Sequence, residues 1–318
     1  MKIFTPLTFQ GNLNKNKYFE GWYFKHVSKN REHVLSFIPG IALTKTDKHA
    51  FIQIIDGISG KTWNINYPLS AFNSSKKAFE IKVGTSVFTE TGIELNIQSE
   101  EITVKGKIRF TNLTKYPTTF LSPGIMGWYS FVPFMECKHG IGSVSHNLSG
   151  DITINDKNIN FSDGTGYIEK DWGTSFPESW IWLHCNTFDK GRNSFTFSVA
   201  KIPWLGNFFM GHICFLYLDD KFYLFATYNK SKIVNLKFAN KKLEFELRNR
   251  NHYLKVTATQ KQSGNLKAPV TGEMNRIIKE SVNSEVQISL FNNSGELIGQ
   301  LKGERAGLEV IEEILKYF

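Results

Sequence analysis

Three cysteines, Cys137, Cys185 and Cys214, are all that 318 residues carry. An odd number scattered through a large chain supplies no disulfide framework and fits reduced thiols. Cys185 also lacks the basic loop or helix start that marks a nucleophilic thiolate. No apolar run approaches the roughly 18 residues that span a bilayer, and residues 1–10 hold no apolar stretch of signal-peptide length. The expectation is a cytoplasmic protein, peripheral to a membrane if it touches one. Phosphate-cradling glycine loops and nucleophile elbows are absent. The net charge of +9 is dispersed as single lysines and pairs such as Lys241-Lys242. Without a basic stripe and interleaved stacking aromatics, nucleic acid is not an expected partner, whereas weak attraction to anionic lipid headgroups is compatible with the charge. Helical pattern is scarce too. It is confined to the C-terminus, where Leu308, Ile311, Ile314, Leu315 and Phe318 keep helical spacing and acids precede Lys316.

What the chain has is β-pattern. Hydrophobic residues make up 41% of it, with 27 phenylalanines, ample for a core. Short alternating segments recur from Tyr18 to Leu301, punctuated by turn chemistry such as Asp56-Gly57, Thr91-Gly92 and Asp219-Asp220. Ile125 to Phe131 reads as a strand. The stretch from Lys261 to Glu280 reads as a loop with a short helix near Met274. Trp204 to Met210 reads as a barrel-end loop folded into the core, in preference to a loop touching a membrane. An internal duplication is visible: Glu20-x-Trp22-x-x-x-His26 recurs as Glu178-x-Trp180-x-x-x-His184, and Ser36-Phe37 recurs as Ser194-Phe195 at the same offset. Two tandem β-units follow. Many short antiparallel strands favour closure into barrels, because closure removes exposed edges. The boundary is expected in the polar run Asn155 to Asn160, giving an N-terminal barrel over 1–160 and a C-terminal barrel with terminal helix over 161–318.

The densest chemistry lies between Gly166 and Asn186. With a strand's period of two, Tyr167, Glu169 and Asp171 share one face, and Ile168, Lys170 and Trp172 the other. A following strand puts Trp180, Trp182 and His184 on a common face. Two readings of the acid pair are open. Glu169 and Asp171 either pair with lysines or cap a turn, or they form a dry site in which burial and mutual repulsion keep one of them neutral.

The run Glu169-Lys170-Asp171-Trp172-Gly173, with Phe176-Pro177, Trp180-Ile181-Trp182 and Cys185-Asn186, resembles the signature of the tocopherol cyclase family. Tyr18-Phe19-Glu20-Gly21-Trp22-Tyr23-Phe24 and Ala306-Gly307-Leu308-Glu309-Val310 are similar to its opening and closing motifs. The resemblance implies an all-β, lipocalin-like fold of two barrels. It implies an enzyme that closes a ring by adding the phenolic hydroxyl of a prenylated hydroquinone across the first alkene of its tail, with no redox cofactor. Such chemistry needs a protonated acid in a dry cavity and ring faces that steady a tertiary cation. Glu169 is then the expected proton donor, Asp171 the second candidate, with Tyr167 beside them. The related carotenoid hydratases carry a similar Tyr-x-Asp-x-Asn-x-Gly pattern. Here Glu169 replaces the Asp and Asp171 the Asn, which leaves the donor's identity between the two.

His146 is a further candidate, either catalytic beside the acid or a satisfied structural histidine. His139 and Cys137 lie near it, but no fourth ligand at metal-binding spacing is evident, so no metal is expected. Trp22, Trp172, Trp180, Trp182, His184 and Glu20 are candidate substrate contacts; for Trp22 and Trp180 barrel-floor packing is the competing reading, and Glu20 then serves as a companion to its tryptophan. The expected partner is a small hydrophobic prenylated substrate or lipid. A non-catalytic lipid carrier and an isoprenoid hydratase are the rival functions.

Overall fold

Period-two alternation of buried and exposed side chains carries most of the chain into antiparallel strands. The structure is a computed structural model that describes residues 2–75, 77–133, 135–204 and 206–318. The first sheet takes β1 (Tyr18–Val27), β2 (Val34–Leu43), β3 (Lys48–Asp56), β4 (Thr62–Pro68), β5 (Phe72–Ser74), β6 (Glu80–Val83), β7 (Ser86–Thr89), β8 (Gly92–Gln98), β9 (Thr103–Thr114), β10 (Cys137–Ile154), β11 (Lys157–Asn160) and β12 (Thr165–Gly173). Its order is β4-β3-β2-β1-β12-β10-β9-β8-β7-β6-β5, with β11 paired to β10. The second sheet takes β13 (Trp180–Cys185), β14 (Ser194–Trp204), β15 (Asn207–Leu218), β16 (Lys221–Ala226), β17 (Lys232–Ala239), β18 (Lys242–Arg248), β19 (His252–Thr259), β20 (Gly264–Val270), β21 (Glu273–Asn292) and β22 (Leu297–Val310). Its order is β16-β15-β14-β13-β22-β21-β19-β18-β17, with β20 paired to β21.

The two orders are the same design. A four-strand meander runs outward from β1 or β13, and the last strand of each sheet, β12 or β22, returns to pair with that first strand. The duplication read from sequence is therefore one of topology. The faces differ, however. In β1, Trp22 and Phe24 point into the first core with Phe37, Phe72, Phe88 and Phe110. In β13 the core residues are Ile181, Leu183 and Cys185, so Trp180, Trp182 and His184 occupy the opposite face. Because the period is two, a one-residue change in which side is buried exchanges the whole set.

The compact units are Met1–Phe176 with Asn265–Ile277, and Pro177–Gly264 with Ile278–Phe318. Residues beyond 160, expected to open the second barrel, include β12, which lies between β1 and β10 in the first sheet. Four local expectations are corrected. Residues 306–310 finish β22, where Leu308 pairs with Leu183, and only Glu312–Tyr317 winds into a 3-10 turn; sheet pairing overrides a spacing that suits either state. Gly127–Phe131 is a 3-10 turn, not a strand. Met274 belongs to β21, and residues 264–292 form two strands. The Trp204–Met210 segment is the tip of the β14–β15 hairpin, with Trp204 and Phe208 each 41% exposed. It projects instead of folding into the core, and its Leu205 lies outside the described residues.

Candidate active site

β12 has a strand on each side, so its two faces become two different environments. On one face Tyr167, Glu169 and Asp171 follow one another as alternation requires. Tyr167 is fully buried and Glu169 is 4% exposed, and the Tyr167 hydroxyl donates to Glu169 Oε2 at 2.7 Å. Register places His139 of β10 directly opposite Asp171. Its Nδ1 lies 2.8 Å from Asp171 Oδ1 and its Nε2 3.6 Å from Glu169 Oε2. An imidazole thus stands between the two carboxylates, and a tyrosine closes the row.

Burial pushes the His139 imidazole down. The charges of Asp171 and Glu169 and the hydrogen bond with Asp171 outweigh it, and the result is raised to about 9. His139 is therefore an imidazolium at neutral pH. The sequence reading of Glu169 and Asp171 left out this cation, which stands beside both acids. Cys137 is also at hand, but burial, then Asp171 and Glu136, push its thiol up, away from thiolate chemistry. His139, Glu169 and Asp171 offer ligand atoms within 4.8 Å of one another. That is a grouping able to take a divalent cation in place of the proton, against the expectation of no metal-binding set.

The other face of β12 does structural work. Lys170 is fully buried and ion-paired with Glu20, and its ammonium donates to the carbonyls of Pro6 and Thr8 at 2.7 Å each. It lies 4.8 Å from the Trp22 ring centre and 4.7 Å from that of Trp172. Trp22 Nε1 donates to Leu7 O at 2.7 Å, and the Glu20 carboxylate accepts from the Gln10 and Gly11 amides and from Tyr18. Residues 6–11 are clamped by these contacts as a strap. It crosses β10 at Gly140 and Gly142, where a Cβ would meet Pro6 and Leu7 at 2.6 and 2.5 Å. Glu20 and Trp22, candidates for substrate contact, hold this strap and fill the core.

His146 does not join the row. It packs on Phe110 at 4.4 Å between ring centres, with Nδ1 3.0 Å from Ser143 Oγ, and it meets Gly166 on the core-facing side of the ladder. Trp180 donates to Glu309 Oε2 at 2.6 Å, and Trp182 stacks with His184 at 6.2 Å, all within the second unit. Trp172 is the one tryptophan candidate that shares a cleft with the row: a recess of about 100 Å³ is lined by Ile3, Pro6, Gly124, Met126, His139 and Trp172, among others. The interior of the first barrel, expected to hold ligand, is packed with its own aromatic side chains, and Glu169 points away from it. His139 was the residue that sequence reasoning missed. Thirty-odd residues separate it from Asp171, and nothing local to Cys137-Lys138-His139 signals the cross-strand pairing.

The sequence model of the family described as tocopherol cyclase-like matches residues 98–311. The chain belongs to this family. A probable chloroplastic tocopherol cyclase of Oryza sativa subsp. japonica is 25% identical over 197 residues, 58% of this chain and 41% of that protein. The chloroplastic tocopherol cyclase of Zea mays is 24% identical over 196 residues, with the same coverage. The match to this tocopherol cyclase-like chain thus spans about two-fifths of those relatives. Among solved structures, CghA with Sch210972 superposes with a TM-score of 0.57 at 10% identity, over 92% of this chain and 88% of that one. An AttH protein from Nitrosomonas europaea gives 0.52 at 12%, over 94% of each. At such identities the likeness is one of fold. No helix among the described residues is long and apolar enough to cross a membrane.

Proposed function

We propose that this tocopherol cyclase-like chain catalyses proton-assisted ring closure of a prenylated phenol or hydroquinone, without change of oxidation state. Glu169 takes the proton that His139 holds 3.6 Å away and passes it to the less substituted carbon of the first prenyl alkene. The tertiary cation left on the neighbouring carbon is captured by the phenolic oxygen, and the phenolic proton returns to the row. His139, oriented by Asp171, resupplies Glu169, and Tyr167 fixes the Glu169 carboxyl through its hydroxyl. Product and substrate are isomers, so no co-reactant is consumed. The observation that supports this reading is the Tyr167–Glu169–His139–Asp171 row, buried at Tyr167 and Glu169 and half-buried at His139 and Asp171, in which a held proton sits beside the Glu169 carboxyl.

Turnover of a prenylated hydroquinone in D₂O tests it. Cyclisation by this route installs one solvent deuterium on the ring carbon next to the new quaternary centre. Glu169→Gln should abolish product while leaving ligand binding, read by titration calorimetry, close to that of the unaltered chain. Undiminished turnover in Glu169→Gln would overturn the assignment, and tight binding by the unaltered chain with no product would favour a carrier.

A further inference from the structure

From residue 116 to residue 135 the sequence carries no charged side chain and no histidine, although 21% of the chain is charged. Its described residues pair into neither sheet. It makes a tight turn, with Thr119 and Ser122 exchanging backbone hydrogen bonds at 2.9 and 3.1 Å, and then the 3-10 turn Gly127–Phe131. The turn holds Phe120 and Leu121 outward at 74% and 72% exposure, the two most exposed large apolar side chains among the described residues. Trp128 and Phe131 of the same loop are 50% and 46% exposed. The inner side of the loop is sorted the other way: Ile125 and Met126 are buried, and Gly124, Met126 and Ser130 line the recess that reaches His139 and Trp172.

A well-bonded loop that buries one side and presents rings on the other is built to meet something apolar. Its shape argues for which partner. Phe120 and Leu121 project from a two-residue tip, backed by the Phe4 ring at 6.3 Å, a form that inserts into a soft layer and does not match the flat, hydrogen-bonding rim of a protein interface. Aromatic rings are favoured at the headgroup level of a bilayer. Charge agrees: the whole chain is +9, Lys2 precedes Phe4, and Lys115 and Lys138 bracket a span whose one acid is Glu136, although Lys115 pairs with Glu90 at 2.7 Å and Lys138 donates to Ser130 O at 3.1 Å.

We propose that the Phe120-Leu121 tip, with Trp128 and Phe131, inserts into the interfacial layer of an anionic lipid bilayer and brings the mouth of the recess to the lipid. The insertion rests on the ring-closing reading only for what would pass from lipid to recess, a prenylated compound; lipid binding itself is read without turnover.

The experiment is co-sedimentation of the full chain with phosphatidylcholine vesicles, with and without phosphatidylglycerol. The unaltered chain and Glu169→Gln should bind the anionic vesicles alike. Phe120→Ser with Leu121→Ser should lower partitioning at least about tenfold, as loss of two inserted apolar side chains requires, with a nearly unchanged melting temperature because both side chains are mostly exposed and only Phe120 meets a ring, that of Phe4. Trp204→Ser with Phe208→Ser, at the exposed hairpin of the other unit, should bind as the unaltered chain does. Three results overturn the proposal: no binding by the unaltered chain, binding that survives at the Phe120-Leu121 tip but is lost at Trp204 and Phe208, or a dimer in solution that the Phe120-Leu121 substitutions convert to monomer.

Discussion

His139 of β10 and Asp171 of β12 are register partners, and their side chains meet at 2.8 Å. The pairing turns two ladder positions into an oriented acid. With Nδ1 committed to Asp171, the other ring nitrogen is directed at Glu169, so the proton can move only toward the carboxyl proposed to use it. The same geometry explains why Glu169 and Asp171 tolerate one another on one strand face.

A first prediction concerns pH. His139 is raised from 6.5 to about 9, so a reaction that needs its proton holds its rate up to that value and declines above it. Asp171→Asn removes the charge and the ionic hydrogen bond, and the alkaline limb of the rate profile should move down by more than one pH unit. Stability follows the same sign. The contribution of His139 is complete below pH 6.5 and is lost as pH rises through about 9, on the order of 3 kcal/mol. A profile of kcat against pH that is identical in Asp171→Asn and the unaltered chain would remove His139 from the proton path.

A second prediction concerns acid. Burial pushes His26 down to about 3 and His212 down to about 4, so both are neutral in the folded chain and must gain a proton in the unfolded one below pH 6.5. Their shifts support stability above pH 6.5, and that support drains away as pH falls toward 4 and 3, on the order of 5 kcal/mol for His26. His26 is ringed by Phe37, Phe110 and Phe161. In His26→Leu the fall of melting temperature between pH 6.5 and 4 should be shallower. An equal slope would mean that other groups govern acid unfolding.

Much of this was legible before any coordinates. Alternation in Tyr167 to Trp172 gave the correct two faces, and the recurrence of Glu20-x-Trp22 as Glu178-x-Trp180 marked two units of like topology. What sequence did not reveal lies in pairing over distance. His139 and Asp171, like Glu20 and Lys170, come together only through the return of β12 between β1 and β10. Lys170 was set on the apolar face by period alone; its partners, a carboxylate from another strand and two strap carbonyls, are what allow a charge to be buried there. The terminal helix failed for the opposite reason, because Leu308 and Ile314 satisfy a helical period while pairing with β13 captured the first of them.

The strap supplies a third prediction. Glu20→Gln leaves the Lys170 ammonium buried beside a neutral amide, and loss of one partner of a buried pair costs about 3–5 kcal/mol. Lys170→Met removes the charge and the three donors at once, stranding Glu20 and the carbonyls of Pro6 and Thr8. Both variants should expose residues 2–11 to limited proteolysis ahead of the barrel, detected by mass spectrometry of the first cleavage products. The double variant, Glu20→Gln with Lys170→Met, should be less destabilised than the sum of the singles, since it leaves no lone charge. Additive losses, or first cuts elsewhere in the chain, would show that the strap is not held by this pair.

The last prediction separates packing from chemistry at His146. A Cβ at Gly166 would lie 2.1 Å from His146 Nε2 and 2.7 Å from its Cδ2, and the imidazole is fully buried against Phe110. It has no room to retreat. Gly166→Ala should therefore cost about 1–3 kcal/mol by overpacking. In a His146→Ala background the clash is gone, so the added methyl should cost far less and partly refill the space left by the ring. A double-mutant cycle on chemical-denaturation midpoints gives the coupling directly. Strong positive coupling fixes His146 as a packing residue set against β12 from the core side, whereas independent effects would mean that its ring lies somewhere other than over Gly166.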